Sequence, residues 1–203
     1  MRMIESHLAA TVQAFGGTFP VYVHTIDHPD GLVLVDTGMI DSVRELDEEW
    51  GPEPKPLPDE LVKRVSVVIN THLHFDHCGG NRLFPGIPIH VQARELADAR
   101  TQPDYTVREW VDFDGATYVE HDGEAEILPG VLVLPAPGHT DGHQVVLVET
   151  GDGLVVLGGD VAYSFRELGE AKTEGQRRVL DLGVLTWLAH DARPHVPLRD
   201  FGR

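Results

Sequence analysis

The chain has a single cysteine, Cys78, among 203 residues, so it cannot close an internal disulfide and makes no demand for an oxidising compartment. It also lacks any apolar run approaching the roughly 20 residues of a membrane span. Its opening residues, Met1-Arg2-Met3-Ile4-Glu5-Ser6-His7, show no apolar core of the kind a signal peptide carries. A cytoplasmic location away from membranes is the resulting expectation. Basic residues are scarce, with 16 Lys and Arg against 33 Asp and Glu and a formal charge of −17. Such a surface repels a phosphate backbone, so nucleic acid is not expected as a partner. No fixed-period repeat is visible, and the length suits one domain, residues 1–203, able to bury a real core.

What the chain does have is histidine and aspartate at the ends of apolar segments. Val65-Ser66-Val67-Val68-Ile69-Asn70 is rich in β-branched residues and reads as a buried strand. It runs into Thr71-His72-Leu73-His74-Phe75-Asp76-His77, which places four metal-competent side chains within six residues. In extended backbone His72 and His74 point to the same side and can clasp one ion. Asp76 and His77 are adjacent, so both face one region only after the backbone leaves the strand; a second ion then becomes plausible. Imidazole and carboxylate suit zinc, and four candidates are too many for one catalytic zinc with an open position.

Three later segments supply further candidates. Val131-Leu132-Val133-Leu134 feeds Pro135-Ala136-Pro137-Gly138-His139-Thr140-Asp141-Gly142-His143, where His139 is the candidate. Leu154-Val155-Val156-Leu157 feeds Gly158-Gly159-Asp160, a carboxylate placed to bridge two ions. Trp187-Leu188-Ala189-His190-Asp191 brings His190 behind an apolar stretch that reads as the final strand. His195, between Pro194 and Pro197, is the competing residue and is expected in an exposed tail. Cys78 reads as a small apolar neighbour of the cluster.

Strands and helices alternate along the rest. Residues 21–26 and 32–35 flank His28-Pro29-Asp30-Gly31, turn chemistry that predicts a hairpin. Residues 41–46 begin a short acidic helix with Asp41 or Ser42 as its cap. Residues 51–58 hold four prolines and form a loop, either a connector or a border of the site. Residues 87–91 read as a strand with His90 structural, and residues 92–100 as a helix. Trp110 belongs to the core or to a pocket wall. Residues 172–182 are compatible with a helix whose Arg177 and Arg178 face solvent.

The pattern H-x-H-x-D-H at His72, His74, Asp76 and His77, followed by His139, Asp160 and His190, resembles the metallo-β-lactamase superfamily over nearly the whole chain, from Gly31-Leu32-Val33-Leu34-Val35-Asp36-Thr37-Gly38-Met39 onward. That resemblance implies an α/β fold, an αββα sandwich, with two zinc ions at one edge. It implies His72, His74 and His139 on one ion, Asp76, His77 and His190 on the other, Asp160 between them, and Asp36 orienting ligands. Within the superfamily the chain is most similar to the N-acyl homoserine lactonases, through His-Leu-His-Phe-Asp-His, Pro-Gly-His-Thr-Asp-Gly-His-Gln and Asp160-Val161-Ala162-Tyr163. Those enzymes place a tyrosine three residues after the bridging aspartate, where this chain has Tyr163; a packing role is the alternative. Compared with them, the chain reads as trimmed between Asp160 and His190 and at its amino terminus, where the family usually has an additional strand and a substrate-contacting loop.

The likeness implies hydrolysis of a small lactone or ester. Two ions roughly 3.5–4 Å apart lower the pKa of a shared water from 15.7 toward about 7. Tyr163 is then a donor to the oxyanion, and Asp76 carries the proton to the leaving alkoxide. Phe75 lines the pocket or packs beneath it. The same ligands accept iron, cobalt or manganese. A glyoxalase II-like thioester hydrolase would use the same residues, although the basic carboxy-terminal extension suited to a glutathione conjugate is not evident. A β-lactamase fits the Asp76 and Asp160 set less well, and His74 argues against a flavodiiron module. A non-catalytic metal-binding domain is the remaining alternative. Dimers are common among such relatives, so a homodimer is an open expectation.

Overall fold

In the computed structural model, which describes the backbone of residues 3–195 and the side chains of residues 3–191, two β-sheets stack face to face. The first half of the chain supplies β1 (Met3–Ala14), β2 (Gly17–His28), β3 (Gly31–Val35), β4 (Glu53–Pro54), β5 (Val65–Ile69), β6 (Pro88–Gln92) and β7 (Thr117–His121). Their spatial order is β4-β1-β2-β3-β5-β6-β7. The second sheet holds β8 (Ala125–Leu128), β9 (Val131–Pro135), β10 (Gln144–Thr150), β11 (Gly153–Leu157), β12 (Leu185–Leu188) and β13 (Asp191–His195), in the order β13-β12-β11-β10-β9-β8.

The sandwich follows from which faces are apolar. Ile26, Val33, Val35 and Ile69 of the first sheet meet Val131, Val133, Val146, Val148, Val155 and Leu157 of the second, and all are buried. This is the central layer, where removal of apolar area from water contributes most. The outer face of the first sheet carries Val23, Leu34, Val68 and Ile89 under Leu57, Leu61, Val62 and Phe84. The last four come from the segment containing α2 (Asp59–Val62) and from the turn after α3 (Phe75–Cys78). The outer face of the second sheet is covered by Leu168 of α6 (Phe165–Gly169) and by Val179 and Leu180 of α7 (Glu174–Leu182). Helix, sheet, sheet and helix form successive layers, the αββα sandwich expected from the sequence.

The predicted hairpin is present, with His24↔Val35 through His28↔Gly31 in register. The strands expected around residues 65–70, 87–91, 131–134 and 154–157 are β5, β6, β9 and β11. The helix expected at 92–100 is α4 (Ala93–Thr101). Residues 51–58 act as a connector: Glu53–Pro54 pairs with β1, Leu57 fills the core, and none of the eight lines the cavity described below.

Several expectations need correction. The acidic helix is α1 (Arg44–Glu49), and neither Asp41 nor Ser42 caps it; its cap position is Val43, without a side-chain hydrogen bond. Asp41 instead pairs with Arg82. Trp187-Leu188 is not the last strand, because β13 follows and pairs Thr186 with His195 in backbone register. His195 therefore belongs to a strand rather than a tail, and its side chain lies outside the described residues. Arg178 is half-buried, donating to the Pro135 carbonyl and pairing with Glu124, whereas Arg177 is exposed as expected and donates to the loop carbonyls of Ala171 and Lys172. An amino-terminal strand not expected from the sequence is present: β1 pairs with β2 from Met3↔Asp27 to Ala14↔Gly17. Trp110 belongs to the core beside Met39, with the Arg82 guanidinium 4.8 Å above its ring.

Candidate metal centre

Five chain segments converge at one edge of the sandwich, each leaving a strand of the core. After β3, Asp36 takes a left-handed backbone (φ 58°), a conformation that aspartate tolerates better than most residues. After β5, His72 and His74 flank Leu73, which is fully buried in the opposite direction. The alternation puts the two imidazoles on one side, with ring centroids 4.7 Å apart. The chain then turns into α3, which swings Asp76 and His77 into the same space. His139 comes from the β9–β10 loop, Asp160 from the end of β11 and His190 from the end of β12. β11 and β12 are parallel neighbours, and the Ala189 N–H donates to the Gly159 carbonyl at 3.1 Å.

All seven predicted side chains meet. Ligand-type atoms lie within 4.8 Å of one another in three groups: His72, His74 and His139; His72, His77 and Asp160; and Asp76, His77 and His190. His139 Nε2 is 2.9 Å from His74 Nδ1. Asp160 is central, with Oδ1 3.2 Å from His77 Nε2 and Oδ2 3.1 Å from His190 Nε2 and 3.7 Å from His139 Nε2. Asp76 Oδ2 lies 3.7 Å from His77 Nε2 and 3.8 Å from His190 Nε2.

The outward nitrogens are fixed by hydrogen bonds. His77 Nδ1 meets Asp36 Oδ2 at 2.8 Å, His190 Nδ1 meets the Pro20 carbonyl at 2.7 Å, and His72 Nδ1 meets Thr71 Oγ1 at 3.1 Å. Asp36 also accepts from the Thr71 N–H at 2.7 Å and the Thr71 hydroxyl at 2.8 Å. The inward atoms His72 Nε2, His77 Nε2 and Asp160 Oδ1 are buried with no hydrogen-bond partner. Orphaned buried polar atoms are costly, and a divalent cation between these imidazole and carboxylate donors would satisfy them. The residues fit such a group.

Electrostatics divides the cluster. Burial, aided by neighbouring imidazoles, holds His72 well below the usual range and His74 at about 4, so both stay neutral and ready to ligate. Burial likewise lowers His139. Burial alone would lower His77 and His190 too, but Asp160 and Asp76 outweigh it, carrying His77 well up and His190 to about 9. Desolvation would raise Asp160, yet His190 and His77 hold it well below the carboxylate range.

Gly159 protects this arrangement: its φ is 51°, and a Cβ there would stand 2.4 Å from Thr71 Oγ1, the hydroxyl linking Asp36 and His72. Tyr163 is half-buried, its OH 3.3 Å from His139 Nδ1 and its ring 5.5 Å from that of His190. Cys78 is buried, donates to the Leu73 carbonyl at 3.3 Å and is pushed up to about 12 by desolvation. It is an apolar neighbour, as expected.

Sequence reasoning missed a second layer. Glu95 of α4 is fully buried, accepts from the Leu73 N–H at 2.8 Å and the Thr140 hydroxyl at 2.6 Å, and is bonded by the Tyr105 hydroxyl. One carboxylate thus ties the His72–His74 segment to the His139 loop. His143 is buried against His72, ring centroids 5.3 Å apart, and burial pushes it down to about 3. Phe15, at the β1–β2 turn, stacks obliquely on Tyr163 at 5.6 Å.

Above the cluster opens a cavity of about 600 Å³. His74, Asp76, His139, Asp160, Tyr163 and His190 form its floor, and Val12, Phe19, Val43, Leu46, Trp50 and Phe75 one apolar side.

The family model of the metallo-beta-lactamase superfamily matches residues 16–195. The chain belongs to that superfamily. Its relatives include an N-acyl homoserine lactonase of Bacillus cereus, 37% identical over 164 residues, covering 71% of this chain and 65% of the relative. A probable metallo-hydrolase of Mycobacterium tuberculosis is 33% identical over 188 residues, covering 75% and 60%. The chain thus spans about 65% of the length of the lactonases it matches. Among solved structures, an N-acyl homoserine lactone hydrolase with N-hexanoyl-L-homoserine bound at its catalytic metal centre superposes with a TM-score of 0.77 at 24% identity, covering 94% of this chain and 93% of that one. A dizinc quorum-quenching lactonase gives 0.63 at 15% identity, covering 86% and 73%. These two likenesses are of fold.

Proposed function

We propose that this chain is a metal-dependent hydrolase that opens the ring of N-acyl homoserine lactones or related lactones. The observation that carries the reading is the convergence of three donor groups, with orphaned inward atoms, at the floor of a cavity that is apolar on one side. The lactonase names borne by relatives at 33–37% identity support the substrate class.

His72, His74 and His139 would hold one divalent ion, Asp76, His77 and His190 a second, and Asp160 would lie between them. Zinc suits these donors, and iron, cobalt or manganese are alternatives. When bound, the ions supply a nucleophilic water at neutral pH and polarise the scissile carbonyl. The protein's own groups do the rest. Tyr163, beside His139, donates a hydrogen bond to the oxygen that becomes negative as the carbonyl carbon turns tetrahedral. Burial raises its pKa, so the phenol keeps its proton. Asp76 lines the cavity and is placed to take up the proton lost by the attacking water and pass it to the alkoxide as the ring carbon–oxygen bond breaks. Val12, Leu46, Trp50 and Phe75 exclude water from the acyl side.

The test is turnover by metal-loaded protein on homoserine lactones of graded acyl length, γ-lactones, a thioester and a β-lactam. Lactone turnover well above the thioester is expected. Faster thioester turnover would favour the glyoxalase II-like reading, and flat progress curves throughout would favour a binding domain.

A further inference from the structure

The cavity differs chemically between floor and mouth. The floor is marked as a ligand end by Asp160, buried with Oδ1 unpartnered. Around it the lining includes four exposed carboxylates, Glu45, Glu49, Asp104 and Glu109. Among the described residues none of the four has a cationic partner. Arg108, the only Lys or Arg in the lining among the described residues, is committed to Asp112 and to the Arg100 carbonyl.

Helix α1 shows the contrast within one element. Its Glu48, outside the lining, is bonded to Arg44 at 2.8 Å. Glu45 and Glu49 share the cavity face at a like-charge i,i+4 spacing, which weakens a helix. α1 buries no residue, so this acidity does not serve packing. Low-dielectric walls formed by Val12, Phe19 and Leu46 focus the field of such charges into the cleft.

We infer that Glu45 and Glu49, with Asp104 and Glu109, form a charge filter at the mouth that admits uncharged acyl substrates and excludes those carrying an anionic group on the acyl side. The inference rests on the lactone reading and extends it to the charge of the substrate. An alkyl-chain homoserine lactone is uncharged, whereas a glutathione thioester carries carboxylates. The filter would therefore separate two esters that the floor alone treats alike.

The test uses two matched probes on metal-loaded protein: N-adipoyl homoserine lactone, whose acyl chain ends in a carboxylate, and its methyl ester. The readout is the ratio of kcat/KM, ester over acid. In the wild type it should be at least about tenfold at 0.01 M salt, where the Debye length is roughly 30 Å, and within about twofold at 1 M, where it is roughly 3 Å. The Glu45→Gln, Glu49→Gln double variant should lower the low-salt ratio at least about threefold. A wild-type ratio within about twofold at low salt, or one unmoved by the double substitution, overturns the filter. If neither probe is hydrolysed, the lactone reading fails and the calorimetric Kd ratio of the same probes decides: a ratio near one overturns the filter, about tenfold or more upholds it.

Discussion

Replacing Asp36 by Asn tests how the fold controls a residue that reaches the cation site only through its far ring nitrogen. Asp36 is buried and accepts three hydrogen bonds, from the Thr71 N–H at 2.7 Å, the Thr71 hydroxyl at 2.8 Å and His77 Nδ1 at 2.8 Å. Asparagine keeps one carbonyl oxygen, which can still accept from the Thr71 N–H. The amide nitrogen then occupies the place of Oδ2, and the Thr71 hydroxyl can rotate to accept from it. His77 has no such freedom: its Nδ1–H would face an N–H donor, a buried mismatch costing about 1–3 kcal/mol. The ring escapes by moving its proton to Nε2, the orphaned inward atom, and thereby loses its ligand lone pair. Loss of an orienting partner typically costs 10–100-fold in metal affinity, about 1.4–2.7 kcal/mol. Competition of the variant against a chelator of known affinity measures this directly. The more weakly held ion should be lost, with the folded state retained. Unchanged affinity for both ions would refute the tautomer argument.

Tyr163→Phe should lower lactone kcat by about 10²–10³-fold with metal content unchanged; an unaltered rate would remove the hydroxyl from the reaction. His190→Ala should lose metal as measured by elemental analysis while His195→Ala retains it, and the reverse pattern would reassign the last ligand. In metal-free protein, burial opposes protonation of His190, but Asp160 and Asp76 raise it from 6.5 to about 9. A group raised in this way stabilises the fold fully below pH 6.5 and ceases to do so as pH rises through about 9. Thermal denaturation in EDTA should therefore show Tm falling between those values, with metal-loaded protein spared that loss. A metal-free Tm that rises over the same window would contradict the charge assignment.

The seven side chains of the cluster were legible because the motif puts ligands at strand ends, where period-2 alternation and a following helix decide their direction. His72, Leu73 and His74 show this, one residue pointing to the core and its neighbours to the site. Glu95 was not legible: it contacts Leu73 and Thr140, 22 and 45 positions away, and its helical spacing resembles that of any acidic surface residue. β1 was missed because Met3–Ala14 mixes polar and apolar residues without strict alternation and is irregularly buried, with a register shift between Leu8 and Ala10 and only the short β4 beyond it. The cap of α1 was misread because Asp41 pairs with Arg82, a partner 41 residues on. Arg178 looked solvent-facing in a helical pattern, yet reaches Pro135 and Glu124 across the sheet edge. Apart from β1, each of these misses is a polar side chain whose partner lies far along the chain, where local pattern carries no information.

The most direct measurement is the metal stoichiometry of the folded protein, followed by lactone turnover as metal is restored to the stripped enzyme. About two equivalents of transition metal per chain should bind, with activity returning only as the second site fills. Saturation at one equivalent, or full activity without metal, would contradict an account built on His72, His74, Asp76, His77, His139, Asp160 and His190 acting together.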